Sequence, residues 1–171
     1  MGHEVIHFTV LGDPKGKARP KFRRLGKITM TYTPKGTVDY ENSVRKAFIN
    51  TVGKNFDPIN GPIKTEIKCI FKIPDSVSKR KHNEMIGKPA LRKPDLDNIA
   101  KSILDPLNNI AYKDDSQICR ISGSKEYGEN PRVDVTIRPY NIINPIHFIT
   151  DKETIKTWVT LIVYMKWNRQ S

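Results

Sequence analysis

Residues 93–118 read KPDLDNIAKSILDPLNNIAYKDDSQI, and the order of extended, helical and returning segments within them decides the fold. Pro94 biases Lys93 toward extended backbone. If that path continues through Leu96, Asp95 and Asp97 lie on the same side, because strand side chains alternate with period two. Asp97 is suited to cap the helix that follows. On that helix Leu96, Ile99, Ala100, Ile103, Leu104 and Leu107 make the buried face. Asp97, Lys101 and Asp105 stand four apart and share a polar strip. Pro106 lacks an N–H and clashes with the carbonyl of Ser102, so a kink is expected there. Asn109 can take the left-handed turn that ends the segment. The chain then doubles back and brings Asp114 and Asp115 toward the start of the helix.

Working outward, EVIHFTVL (4–11) alternates as a strand does. GDPKGKARPKFRRLGK (12–27) reads as a basic loop, and ITMTYTP (28–34) returns to strand composition. Tyr40, Val44, Ala47 and Phe48 make one face of a helix over 37–52, started by Thr37 or Asp39 and stopped at Gly53. Residues 62–74 read as a strand with one wet side. Residues 75–94 form a polar loop of about 20 residues, longer than an unstructured connection usually is. SQICRISGSKEYG and PRVDVTIRPY close the pattern as two strands. Residues 141–171 form an extension of different character. Thr150 and Glu153 have capping-box spacing, and Ile155, Trp158, Val159, Ile162 and Met165 recur at helical intervals. The β-branched run WVTLIVYM leaves a strand open as the alternative.

The chain has 171 residues, the length of one domain, and carries 30 Lys and Arg against 18 Asp and Glu, a formal charge of +12. Such an excess favours a polyanionic partner, nucleic acid before a membrane surface. No apolar run approaches the roughly 20 residues that span a bilayer, and the N-terminal stretch has no signal-peptide pattern. A cytoplasmic protein without a membrane segment is expected. Cys69 and Cys119 match no metal spacing and read as reduced thiols. The bets for a DNA-binding surface are Lys15, Lys17, Arg19, Lys21, Arg23 and Arg24 in the first basic loop, with Lys79, Arg80, Lys81, Arg92 and Lys93 in the second. Affinity that falls steeply with salt would follow, as phosphate contacts release counterions.

Against that background five Asp and no Glu gather within 93–118. Carboxylates meeting at one point repel unless a cation lies between them. Mg²⁺ takes hard oxygen ligands and keeps several waters, so a small Asp set and a substrate phosphate suit it. Such an ion polarises a phosphodiester and offsets charge on the leaving oxygen. Lys101 would hold the phosphate or steady the transition state as a point charge.

KPDLDN, Lys101 four residues on, LDPLN and YKDDSQI, in that order, resemble the RusA family of Holliday-junction endodeoxyribonucleases. KARPKF, TYTPKGTVDYE, SKEYG and PRVDVTI resemble further segments of that family, so that the likeness covers about residues 5–140. It implies a single small α+β domain over 1–140, with helices packed on a mixed β-sheet, acting as a homodimer on four-way DNA junctions. It implies Mg²⁺-dependent paired nicking in DNA recombination and repair, with Mn²⁺ as a possible substitute. Its catalytic, metal-holding acids carry over onto Asp95, Asp97 and Asp115, and its catalytic lysine onto Lys101, with Asp105 and Asp114 as secondary candidates. Pro106 and Asn109 depart from the family's usual Ala and Gly without touching a proposed ligand. A bacterial or phage origin is expected.

GDPKGKA lacks the Walker spacing and has Ala18 where Ser or Thr is needed, so no nucleotide cofactor is expected. The four His are scattered without zinc spacing. Two rival functions stand beside the junction nuclease. One is a non-catalytic nucleic-acid-binding protein in which the acids only cap and turn. The other is a metal-dependent nuclease of flap or fork specificity.

Overall fold

The computed structural model describes residues 5–26 and 28–140. In chain order it contains β1 (Ile6–Leu11), β2 (Lys21–Leu25), β3 (Ile28–Tyr32), α1 (Lys35–Val52), β4 (Ile63–Lys72), α2 (Lys79–Met85), α3 (Leu96–Leu104), β5 (Ile118–Gly128) and β6 (Arg132–Pro139). Four strands pair in the order β1-β6-β4-β5, while β2 and β3 form a separate antiparallel hairpin. β4 runs parallel to β5 and antiparallel to β6. The sheet is therefore mixed, the fold is α+β, and residues 73–117 are the crossover that a parallel pair requires.

Alternation explains why one face of the sheet is covered. In β4, Ile63, Thr65, Ile67, Cys69 and Phe71 are buried, while Glu66 and Lys68 face water. β1 and β6 repeat the pattern, burying Ile6, Phe8 and Val10 beside Val133, Val135 and Ile137. α1 and α3 lie on this apolar face. Phe48 of α1 is fully buried between Phe8 and Phe56, with ring centroids 5.6 and 5.4 Å away and near-perpendicular rings. Edge-to-face pairs of this kind stabilise beyond the area that they bury. Cys69 and Cys119 form no disulfide, and burial pushes the Cys69 thiol up to about 11. No helix among the described residues is long and apolar enough to cross a membrane.

Several expectations need correction. The first basic loop contains β2, whose alternation is basic rather than apolar and therefore carries no burial signal. The 75–94 loop contains α2, capped by the Ser78 hydroxyl, which accepts from the Lys81 N–H; none of its residues is buried, so no periodicity revealed it. α1 starts at Lys35 after Pro34, with no side-chain cap, so neither Thr37 nor Asp39 starts it. α3 starts at Leu96, because the Asp95 carbonyl already accepts the Ile99 N–H at 3.0 Å. Asp95 thus holds the N-cap position expected of Asp97, and Leu96 is helical rather than extended. Instead of a kink within one helix, α3 ends and tightens into a 3₁₀ turn at Asp105–Leu107, where the missing N–H of Pro106 costs least. Asn109 does take the left-handed conformation, at φ 59°. The helix expected over the 141–171 extension lies outside the described residues.

Candidate active site

Three separate anchors bring the acidic segments together. First, the loop before β2 lies on α3. The Lys17 N–H donates to the Asn98 carbonyl at 3.2 Å, and the buried Ser102 hydroxyl donates to the Lys15 carbonyl at 2.6 Å. Gly16 makes this approach possible, because an added Cβ would sit 2.8 Å from Pro94 Cβ. Second, the Lys125 ammonium on β5 donates to the Pro94 carbonyl at 2.9 Å and to that of Arg92, fixing the bend at Lys93 and Pro94 that leads into Asp95. Lys125 and Arg92 both lie over the Phe71 ring. Third, Gln117 ties the 3₁₀ turn Asp115–Gln117 to the chain ahead of β4. Its amide donates to the carbonyls of Ile59 and Gly61 at 3.0 and 2.8 Å, while its oxygen accepts from Lys113 and Asp114.

The result is a cavity of about 440 Å³ bordered by Asp97, Lys101, Asp105 and Asp115, with an apolar wall of Leu96, Ala100, Leu104 and Ile121. An adjoining cavity of about 410 Å³ is bordered by Asp95, Asp97 and Lys101, with Lys17 and Arg19 opposite. Asp97 and Lys101, one helical turn apart, border both. Asp95 and Asp97 therefore reach a common space through the first turn of α3, not through strand alternation. They also lie where the positive end of the helix favours negative charge.

The five acids separate by what they touch. Asp105 is held by Lys17 at 2.6 Å, and the same ammonium reaches Glu41 at 3.3 Å. Burial alone would lower the Lys17 pKa, but these two carboxylates together raise it. Asp114 closes a capping box with Gln117, and hydrogen bonds from the Ser116 hydroxyl and N–H hold its carboxyl below the usual range. Asp95, Asp97 and Asp115, by contrast, have no side-chain partner among the described residues, and neither has the Lys101 ammonium. Tyr112 lies beneath, with its hydroxyl on the Leu104 carbonyl at 2.6 Å; burial and the charges of Asp115 and Asp105 raise its pKa.

No group of three or more His, Cys, Asp or Glu among the described residues is drawn into a ready-made metal cage. Asp97 and Asp115 border one cavity and Asp95 and Asp97 the other, so the carboxylates stand in pairs of hard oxygen donors, the kind that a cation retaining several waters takes.

Of the expected DNA-binding residues, Arg19 and Lys93 border cavities shared with Asp95. Lys21, Arg23 and Arg24 stand on the β2–β3 hairpin, and Lys79, Arg80 and Lys81 on α2. Lys15 lies over Tyr40, Arg92 over Phe71, and Arg80 pairs with Glu84. Lys17 is engaged by two acids and has little left for a phosphate. Sequence reasoning missed Ser102, Gln117 and Lys125 as positioning residues. Only Gln117 gave a signal, since Asp114-x-x-Gln117 has capping-box spacing; the other two act through tertiary contacts.

Fold and cavities together define a small, basic α+β protein with an acidic cleft. The family model described as endodeoxyribonuclease RusA matches residues 12–138, and the chain belongs to that family. It is also similar to "Uncharacterized protein YqaN" of Bacillus subtilis (strain 168), 38% identical over 143 residues, which span 79% of this chain and 96% of that protein.

Lys125→Met is expected to slow DNA cleavage about tenfold, equivalent to about 1.4 kcal/mol of barrier. Because Lys125 acts through Arg92 and Pro94, single-turnover cleavage falls while DNA affinity holds. An equal loss of affinity would assign Lys125 to binding instead.

Proposed function

We propose that this protein is a divalent-metal-dependent endodeoxyribonuclease that resolves four-way DNA junctions by paired nicks, in recombination and repair. The observation that carries this reading is the placement of Asp97 and Asp115 on one cavity with the ammonium of Lys101, all three without a side-chain partner among the described residues. Asp97, Asp115 and Asp95 would hold Mg²⁺ or Mn²⁺, which supplies Lewis-acid activation of the phosphodiester. Lys101 holds the scissile phosphate and offsets the charge that develops on its oxygens. The apolar wall limits bulk water on the far side and strengthens both interactions. Lys17 keeps Asp105 neutralised and turned toward Glu41, so that it does not compete for the cation. Arg19 and Lys93 draw in the backbone that the carboxylates alone would repel. A homodimer suits the substrate, because a junction has approximate two-fold symmetry and requires two opposed cuts.

The test is cleavage of synthetic mobile and immobile four-way junctions, with flaps, forks and linear duplex as competitors, in Mg²⁺ and in EDTA. Paired nicks in Mg²⁺, lost in EDTA, are expected, with junction outcompeting the other substrates. Junction affinity should also fall linearly on a log–log plot against salt, by about one decade per decade of salt for each phosphate contacted. Preferred cutting of flaps would reassign specificity. Binding without cleavage under any divalent ion would leave only a binding protein.

A further inference from the structure

The β2–β3 hairpin presents every described side chain to solvent. Phe22 is 73% exposed and Ile28 66%, and Met30 and Tyr32 are also exposed. Scattered apolar residues at a surface need no explanation, but a ribbon that exposes four of them and buries no described side chain does. Residues 14–38, which contain this ribbon, hold eight Lys and Arg and no Asp or Glu. Register and alternation set Phe22 and Arg24 on one face, opposite Thr31 and Thr29. That face offers an aromatic ring, a guanidinium and two hydroxyls, without a carboxylate.

Where the ribbon is rooted matters as much as its composition. Arg19, two residues before β2, borders the cavity of Asp95, Asp97 and Lys101. Pro34, two residues after β3, borders another cavity shared with Asp95 and Lys93. Both ends of the ribbon thus leave from cavities that Asp95 borders. A two-stranded hairpin is marginally stable alone in water. Its charge selects a polyanion, and its exposed ring selects a polyanion with flat apolar surfaces available.

We propose that the β2–β3 ribbon is a DNA-binding arm whose Phe22 stacks on a base exposed at the branch point while Arg24 holds the adjoining backbone. This rests on the junction-nuclease reading and adds to it the residue that distinguishes branched from linear DNA. Phosphate contacts are indifferent to branching, whereas a stacking ring requires a base face that intact duplex does not offer.

The experiment uses the full chain carrying Asp97→Asn, so that DNA is bound without being cut. It compares a synthetic four-way junction bearing 2-aminopurine at the branch point with a linear duplex of equal length. Adding Phe22→Ala is expected to weaken junction binding by on the order of tenfold, to leave duplex binding within about twofold, and to abolish the 2-aminopurine response. Phe22→Trp restores all three values. Arg24→Ala weakens both DNAs alike, as loss of a phosphate contact should. Equal weakening of both DNAs by Phe22→Ala, no weakening, or an unchanged 2-aminopurine signal overturns the proposal. Failure of the nuclease reading shows elsewhere, as a wild-type chain that never cuts junctions, while Phe22 discrimination is still measured by binding.

Discussion

Asp97→Asn is expected to cut junction cleavage by on the order of a thousandfold, about 4 kcal/mol of barrier, while junction affinity stays within about threefold. The amide keeps the size of the carboxylate and removes its charge. Among the described residues Asp97 has no side-chain partner; it borders both cavities and makes no cap hydrogen bond. Folding therefore loses only its modest interaction with the helix end, about 0.3–1 kcal/mol. Asp114→Asn is the matched control. Its side-chain oxygen accepts from the Ser116 N–H, which an Asn oxygen also does, so near-normal cleavage is expected. Lys101→Ala should fall between them, at about a hundredfold. Rapid cleavage by Asp97→Asn, with Asp114→Asn inactive, would reverse the assignment of the two segments and remove Asp97 from the chemistry.

The second large effect concerns stability. Phe48→Ala is expected to lower the unfolding free energy by about 3–5 kcal/mol, a substantial part of the 5–15 kcal/mol typical of a domain. Phe48 is wholly buried and meets Phe8 on the sheet and Phe56 ahead of β4. Truncation removes both ring contacts and leaves a void that helix and sheet cannot close together. Urea denaturation should show a lower midpoint with an unchanged slope. Leu91→Ala, at a position 95% exposed, should shift stability by less than about 0.5 kcal/mol. A change below about 1 kcal/mol for Phe48→Ala would mean that the surrounding residues collapse into the space.

The parts legible in the sequence are those in which burial writes a period. α3 could be read because Ile99, Ala100, Ile103, Leu104 and Leu107 alternate with Asp97, Lys101 and Asp105 at 3.6-residue spacing. The end of α1 at Gly53 and the left-handed Asn109 were legible because local sterics decide them. β2 and α2 were not, since neither buries a described side chain and a pattern of cations looks the same in a loop as in a ribbon. The cap of α3 was misplaced by two positions because Asp95 and Asp97 are equally good caps in composition. Leu96, the first residue of α3, packs against Gly123 of β5, a contact that no local rule contains. The acidic set could be suspected from Asp content. Which acids are engaged, Asp105 by Lys17 and Asp114 by Ser116, emerges only from the folded chain.

Asp95, Asp97, Lys101 and Asp115 all belong to the single crossover that joins β4 to its parallel neighbour β5. Parallel neighbours pair late in folding, since a long loop must close before any contact rewards it. On the reading proposed above, Asp115 reaches the cavity of Asp97 and Lys101 only once this crossover has closed.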